Sequence, residues 1–167
     1  MKRALLASII FILLQSCSIS YKFNGASIDY NLTKTLRLAN FPNQAPLVYP
    51  PLEPRFNEEL KDIFTRNTKL RFVNQNADIE IEGEIVGYQL TPMAVQEDAL
   101  ASETRLTMTV RMRYINNKID GQNKEETFTA YRNFPSDRVL TDVQDQLIKE
   151  LINDIVDQIF NSTMSNW

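Results

Sequence analysis

The chain has 167 residues and a formal net charge of −3, from 18 basic and 21 acidic side chains. It contains no histidine and one cysteine, so it can build neither a zinc site nor a Ser-His-Asp or Cys-His catalytic centre. Its net negative charge argues against nucleic acid as a binding partner. Its four glycines are too scattered to form a phosphate-binding loop. We therefore expect no enzyme, no catalytic residues, no metal, no cofactor and no nucleic-acid partner.

The first residues have the pattern of a secretory signal peptide. Lys2 and Arg3 precede an apolar run over residues 4–14, and a basic start before a short apolar run is typical of such a peptide. The run is shorter than the ~20 residues that a membrane-spanning helix needs. We predict a signal peptide over residues 1–16. Its removal takes Lys2 and Arg3 away and leaves a mature chain that is more acidic.

Cys17, the only cysteine, lies directly after this segment. With Leu14 three positions before it and Ser16 directly before it, the sequence resembles the lipobox of bacterial lipoproteins. The resemblance implies a diacylglycerol on the Cys17 sulfur and a further acyl chain, such as palmitate, on its amino group. Two or more acyl chains hold a protein on a bilayer stably, so we expect a lipid-anchored protein. The alternative is an ordinary signal peptide beside an incidental thiol, although a single cysteine has no disulfide partner.

The mature chain is predicted to consist of a lipidated tether over residues 17–33 and one domain over residues 34–167. Alternating apolar residues predict a first strand over residues 35–41. A loop rich in proline follows over residues 42–54. Its apolar pair, Leu47-Val48, either contacts a partner or belongs to a rigid connector that packs on its own domain.

Two amphipathic helices are predicted, over residues 52–66 and 142–164. In each, apolar side chains recur at spacings of three and four residues and form one stripe. The stripe of the second helix is wide, which predicts extensive burial against a sheet. Thr141 and Gln144 have the spacing of a capping box at its start. Trp167 at the end of the sequence either anchors in a partner or caps the core.

The remaining segments alternate between apolar and polar residues and are predicted to be strands. These predicted strands cover residues 69–73, 78–90, 105–114 and 125–134. The apolar phase changes at Gly87, which predicts a β-bulge, and Asp120-Gly121 predicts a turn between the last two strands. We predict an α+β fold, a two-layer sandwich with two helices on one face of a largely antiparallel mixed sheet. The other sheet face is left to water or to a partner.

Basic side chains near the strongest predicted strand are candidate ligand-binding residues. Arg105, Arg111 and Arg113 alternate along one face, and guanidinium groups bind phosphates bidentately. Lys118 and Lys124, in the predicted hairpin loop, form a second basic group. The alternative is an ordinary solvated sheet face. The glutamates of the preceding strand would repel an anionic ligand if they share that face.

Several segments of the mature chain carry a family resemblance. They are Phe-Asn-Gly-Ala-Ser-Ile (23–28), Phe-Pro-Asn-Gln-Ala-Pro-Leu-Val (41–48), Ala-Asp-Ile-Glu-Ile-Glu-Gly-Glu-Ile (77–85), Arg-Leu-Thr-Met-Thr-Val (105–110), Asp-Gln-Ile-Phe-Asn (157–161) and the final Asn-Trp. In this order and spacing they resemble the LptE family of lipopolysaccharide-assembly lipoproteins, in its Bacteroidota-type branch. The resemblance implies a sandwich of two helices on a sheet, in agreement with the pattern above.

The same resemblance implies a non-catalytic part of the outer-membrane machinery. In the family, the lipoprotein plugs the β-barrel protein LptD, helps that barrel to assemble and takes part in lipopolysaccharide delivery to the cell surface. The expected partners are therefore an LptD-type outer-membrane β-barrel, lipopolysaccharide and, through acylated Cys17, outer-membrane lipid. Ser18 stands where an aspartate retains many lipoproteins at the inner membrane, so we expect an outer-membrane protein that faces the periplasm inside a barrel lumen. The alternative is a lipid-binding or scaffolding periplasmic lipoprotein of another envelope complex.

Overall fold

The computed structural model describes residues 28–93 and 102–164. The elements are β1 (Thr35–Leu38), α1 (Leu52–Asn67), β2 (Arg71–Phe72), β3 (Ile79–Pro92), β4 (Glu103–Asn116), β5 (Lys124–Pro135) and α2 (Leu140–Met164). This is the predicted order, although β1 and β2 are shorter than predicted. Within the described ranges no helix is both long and apolar enough to cross a membrane. The predicted signal peptide, Cys17 and Trp167 lie outside those ranges.

The five strands form one mixed sheet in the order β2-β1-β3-β4-β5. The short strand β1 pairs in parallel with both β2 and β3. The three long strands form an antiparallel meander, because β4 pairs with β3 on one side and β5 on the other. The predicted class, an α+β sandwich with a largely antiparallel mixed sheet, is confirmed.

A β-bulge interrupts β3 between Ile85 and Gly87, at the place where the sequence predicts one. Ile81 and Ile85 are buried before the bulge, and Tyr88 is buried after it. The extra residue therefore keeps both parts of the strand in contact with the same core. A side chain at Gly87 would be crowded, because an added Cβ would lie 3.0 Å from the Cβ of Thr109.

One face of the sheet carries the core, and both helices pack on it. Buried core side chains come from β4, α1 and α2: Leu106, Met108, Val110, Met112, Leu52, Phe56, Leu60, Phe64, Leu151, Ile155 and Ile159. The helices also contact each other, with 5.3 Å between the ring centroids of Phe64 and Phe160. Phe41 fits under α1 because Gly83 has no side chain, since an added Cβ would lie 2.3 Å from the Phe41 ring.

The start of α2 differs from its prediction. The helix begins at Leu140, so Thr141 lies inside the first turn and the predicted capping box is wrong. The amide of Gln144 instead donates a hydrogen bond to the Tyr88 hydroxyl, at 2.6 Å. Burial raises the pKa of the Tyr88 phenol, and a hydrogen-bond partner is what a buried polar group requires.

The segment before β1 is part of the packed domain. Ile28 and Tyr30 contact the hydrophobic core, and Thr33 is buried. Asp29 forms a turn, because its carbonyl accepts hydrogen bonds from the backbone amides of Leu32 and Thr33. The stretch predicted as the tether, residues 17–33, therefore includes a part that packs on the domain.

Candidate functional site

The helices leave one face of the sheet uncovered, and we call it the open face. Its side chains alternate with the core side chains of the same strands, as the period of two requires. It is formed by Arg37, Glu80, Glu82, Glu84, Gln89, Thr91, Arg105, Thr107, Thr109, Arg111, Arg113, Glu125, Thr127, Thr129, Tyr131 and Asn133. The predicted glutamates and arginines thus share one face, the arrangement under which the glutamates oppose an anionic ligand.

One half of the open face is an array of ion pairs, which we call the paired half. Its ion-paired members are Arg37, Glu80, Glu82, Glu84, Arg111 and Arg113, and Glu125 and Thr127 complete this half. Arg37 donates to Glu80 at 2.6 Å and to Glu82 at 3.2 Å. Glu84 accepts from Arg111 at 2.9 Å, and the Arg113 guanidinium lies 3.5 Å from Glu82. The hydrogen bond from Arg37 lowers the pKa of Glu80, so these charges are largely satisfied within the sheet.

The other half is mostly uncharged, and we call it the threonine half. Its members are Gln89, Thr91, Arg105, Thr107, Thr109, Thr129, Tyr131 and Asn133. The hydroxyls of Thr109 and Thr129 lie 3.2 Å apart across β4 and β5. Tyr131 is 52% exposed. This half therefore presents hydroxyl groups and one aromatic ring to the surroundings.

Arg105 is held in the threonine half by two contacts. Its guanidinium carbon lies 4.0 Å from the centroid of the Tyr131 ring, a cation–π contact. Its Nε donates to Asn133 Oδ1 at 3.0 Å, and the Asn133 amide donates onward to Glu103 at 2.9 Å. In the parts of the chain that the structure describes, the ion pairs of β4 involve Arg111 and Arg113 and not Arg105.

Lys118 lies in the loop between β4 and β5, as predicted, and pairs with Asp78 at 3.0 Å. The Asp78 carboxylate also accepts hydrogen bonds from the backbone amides of Lys34 and Thr35, at 2.8 and 3.0 Å. Burial opposes ionisation of Asp78, but these hydrogen bonds and Lys118 outweigh it and lower the pKa of Asp78 to about 2. Lys118 thus joins the hairpin loop to the start of β1.

Lys124 is not in the hairpin loop, and that part of its prediction is wrong. It is the first residue of β5 and lies opposite the buried Tyr114, so it points to the helix side. Its ammonium donates to the Ser162 carbonyl and hydroxyl, each at 2.7 Å, and pairs with Glu126 at 2.9 Å. A cation is favourable at the carbonyl end of a helix, and here it joins β5 to the last turn of α2.

The Leu47-Val48 loop is fixed on both sides, while the apolar pair itself points outward. Ala45 is buried before it, and the Tyr49 hydroxyl after it donates to Asp145. Leu47 is 37% exposed and Val48 is 75% exposed. The loop is therefore a connector packed on its own domain that keeps an apolar tip available, and partner contact by this tip stays a prediction.

The outer surface of the helices is acidic. A groove of about 580 Å³ runs between α1 and α2. Its acidic lining residues are Glu58, Glu59, Asp62, Asp142 and Asp145. Among the described residues no acidic group has the arrangement of a metal site. Because these five acidic residues outnumber the two basic lining residues, Arg55 and Lys149, the groove is a poor match for phosphate groups.

The sequence matches the family model LptE, lipopolysaccharide-assembly, over residues 33–163. The chain belongs to this family. The match spans most of the described domain, from the end of the predicted tether to the last turn of α2. The family is non-enzymatic, which agrees with the expectation from composition, and the Bacteroidota-type branch stays a prediction. No curated protein matches the sequence.

Solved structures share the fold of this LptE-family chain. A minor lipoprotein from Acinetobacter baumannii is 20% identical, with a TM-score of 0.50 over 77% of this chain and 91% of that chain. A hypothetical protein from Chlamydia trachomatis is 14% identical, with a TM-score of 0.50 over 80% of this chain and 99% of that chain. At such identities the likeness establishes the fold alone.

The structure separates the basic residues that the sequence grouped together. Arg105, Arg111 and Arg113 share the open face, whereas Lys118 and Lys124 lie in contacts that hold the domain of this LptE-family chain together. Sequence reasoning missed the cluster of Arg105, Tyr131 and Asn133. Alternation places all three on polar strand faces, but the register that brings them together depends on the length of the hairpin loop.

Proposed function

We propose that this chain is a lipid-anchored outer-membrane component that sits in the lumen of an LptD-type β-barrel and takes part in lipopolysaccharide delivery. The observation that carries the proposal is the family match over residues 33–163. The lipobox resemblance at Cys17 supports the anchor, and Ser18 supports the outer membrane. In this arrangement the domain faces the periplasm and assists the assembly of the barrel.

The first described residue, Ile28, lies at one end of the domain. Ile28 lines a cavity of about 280 Å³ together with Thr163 and Met164 at the end of α2. A fully extended chain spans at most ~3.3–3.6 Å per residue, so the chain from Cys17 to Ile28 would reach at most roughly 40 Å. This reach would let the end of the sheet that contains Ile79 and Asn116 lie close to the inner leaflet of the outer membrane.

The open face is the surface that we assign to the barrel and the lipopolysaccharide. The covered face is closed by two helices, and α2 carries five acidic residues along its length against one basic residue, Lys149. Acidic groups repel the phosphates of lipopolysaccharide. Of the predicted ligand-binding residues, Arg105, Arg111 and Arg113 lie on the assigned surface, where Arg111 and Arg113 are already paired with Glu84 and Glu82.

Affinity purification of the tagged full chain from outer membranes in mild detergent tests the proposal. We expect a large β-barrel protein of the LptD type to co-purify in stoichiometric amount, together with lipopolysaccharide. Recovery of the chain from these membranes without any barrel protein would contradict the proposal that it sits in a barrel lumen. That result would favour a lipid-binding or scaffolding lipoprotein of another envelope complex.

The anchor has its own test in Cys17→Ser. The variant lacks the thiol that the lipid needs, and we expect an uncleaved or soluble chain whose domain still folds, because Cys17 precedes the predicted domain over residues 34–167. Carbonate washing of membranes measures the attachment. A Cys17→Ser chain that has lost residues 1–16 and still stays in the membrane pellet as fully as the native chain would contradict lipid anchoring.

A further inference from the structure

We infer that the threonine half of the open face binds a phosphorylated saccharide and that Arg105 contacts its phosphate. The inference rests on the proposed function, because lipopolysaccharide is a phosphorylated glycolipid. It goes further than the proposed function, because it assigns the phosphorylated saccharide of the ligand to the threonine half of the sheet. It also separates Arg105 from Arg111 and Arg113, which share its strand and face.

Arg105 differs from its two neighbours in the use of its donors. A guanidinium has five N–H donors in a planar fork, and the Nε of Arg105 is used by Asn133. One terminal nitrogen of Arg111 already meets Glu84 at 2.9 Å, and one of Arg113 meets Glu82 at 3.5 Å. In the described parts of the chain Arg105 has no such carboxylate partner, so its terminal nitrogens can bind the two oxygens of a phosphate.

The position of Arg105 is fixed before any ligand arrives. The Tyr131 ring supports the guanidinium at 4.0 Å, and Asn133 is itself held by Glu103 at 2.9 Å. A side chain that is ordered in advance loses less conformational entropy on binding. This preorganisation distinguishes Arg105 from an ordinary solvated arginine.

The surroundings of Arg105 suit a sugar and not an isolated phosphate. Tyr131 is half exposed, and an exposed aromatic ring combines an apolar surface with a polar tip. The hydroxyls of Thr107, Thr109 and Thr129 can each donate and accept a hydrogen bond, as sugar hydroxyls require. An apolar ring, neutral hydroxyls and one cation together match a saccharide that carries a phosphate ester.

The experiment measures lipopolysaccharide affinity of the full chain, purified in non-ionic detergent, for four variants. We expect Arg105→Gln to weaken binding about tenfold or more, the loss of a charge-assisted contact. Arg113→Gln is the matched control on the same strand and face, and we expect less than about a twofold change because its charge is already paired. Tyr131→Ser is expected to lose ~2–5-fold through the cation–π contact, whereas Tyr131→Phe keeps the ring and retains affinity. Thermal unfolding checks that all four variants fold.

A second measurement identifies the chemical class of the ligand. Glucose 1-phosphate, glucose and inorganic phosphate are titrated separately while the NMR signal of the Arg105 Nε–H is followed. We expect the largest shift with glucose 1-phosphate. An equal response to inorganic phosphate would overturn the assignment to a saccharide, and no response to either phosphate would overturn the site.

The outcomes separate this inference from the proposed function. Equal affinity losses in Arg105→Gln and Arg113→Gln, or none in Arg105→Gln, would overturn the site. If the barrel still co-purifies in that case, the proposed function stands. A native chain that recovers neither barrel nor lipopolysaccharide would defeat both.

Discussion

The two faces of this sheet use the same strands for different purposes. On the covered face, β4 contributes Leu106, Met108 and Val110, all fully buried under the helices. On the open face, the residues between them are threonines and arginines that meet polar neighbours. The described part of the chain contains no buried side-chain nitrogen or oxygen without a hydrogen-bond partner. Stability therefore depends mainly on one face, and the other can vary its chemistry to suit a partner.

The edge strand β5 also indicates that a partner contacts the open face and not the edge of the sheet. β5 is an edge strand of 12 residues, long enough to attract another strand. Its helix side carries charges that are bound to α2, with Arg132 paired to Glu150 and Asp154 at 2.8 Å each. Charged residues that point inward are a known protection against edge pairing. The protected edge favours partner contact through the open face.

A pair of alanine substitutions gives the largest expected difference between the faces. We expect Leu106→Ala on the covered face to lower the free energy of unfolding by ~2–5 kcal/mol, because it leaves a cavity in a packed core. Its neighbour on the open face, Thr107→Ala, is expected to change it by less than ~0.5 kcal/mol. Urea denaturation followed by circular dichroism measures both. Similar losses in the two variants would mean that the open face is also packed.

Asp78 tests how much a half-buried polar contact contributes to the free energy of unfolding. The pKa of Asp78 is lowered from 3.8 to about 2 in the folded chain, so the ionised carboxylate stabilises the fold. This contribution of roughly 2 kcal/mol is present above about pH 4 and is lost as the pH falls towards 2. Unfolding free energies between pH 2 and 6 should show this slope, and Asp78→Asn should reduce it. An unchanged slope in Asp78→Asn would assign the acid sensitivity to other carboxylates.

Two arginines, one on each face of the sheet, are expected to differ less in their contributions to stability. Arg132 lies on the covered side and bridges β5 to two carboxylates of α2, and its side chain is 32% exposed. Arg113 lies on the open face and is 62% exposed. We expect Arg132→Gln to cost up to ~1 kcal/mol and Arg113→Gln less than ~0.5 kcal/mol, because exposed ion pairs contribute little. Thermal unfolding at low and high salt measures the loss of stability in both variants. A larger loss in Arg113→Gln than in Arg132→Gln would contradict the view that contacts on the covered side contribute more to stability than those on the open face.

The sequence predicts which side chains share a face but not which of them meet. Alternation along β3 and β4 and the phase change at Gly87 were enough to predict the faces and the bulge. Arg111 pairs with Glu84, which precedes the bulge, because the bulge shifts the register between β3 and β4 by one residue. The local sequence pattern does not determine this register. Gln144 donates to Tyr88, which is far away in the sequence. The spacing of Thr141 and Gln144 suggests a capping box instead, so the sequence does not predict this contact. Lys124 was misplaced because the strand β5 begins one residue earlier than its apolar pattern.

Site-specific crosslinking in intact cells tests most directly that the open face is the contact surface. A photo-crosslinking amino acid is placed at Thr129 on the open face or at Asn153 on the outer surface of α2, both exposed positions. We predict adducts with a barrel protein or with lipopolysaccharide from Thr129, and few from Asn153. Adducts from Asn153 without any from Thr129 would contradict the account and assign the contact to the helices.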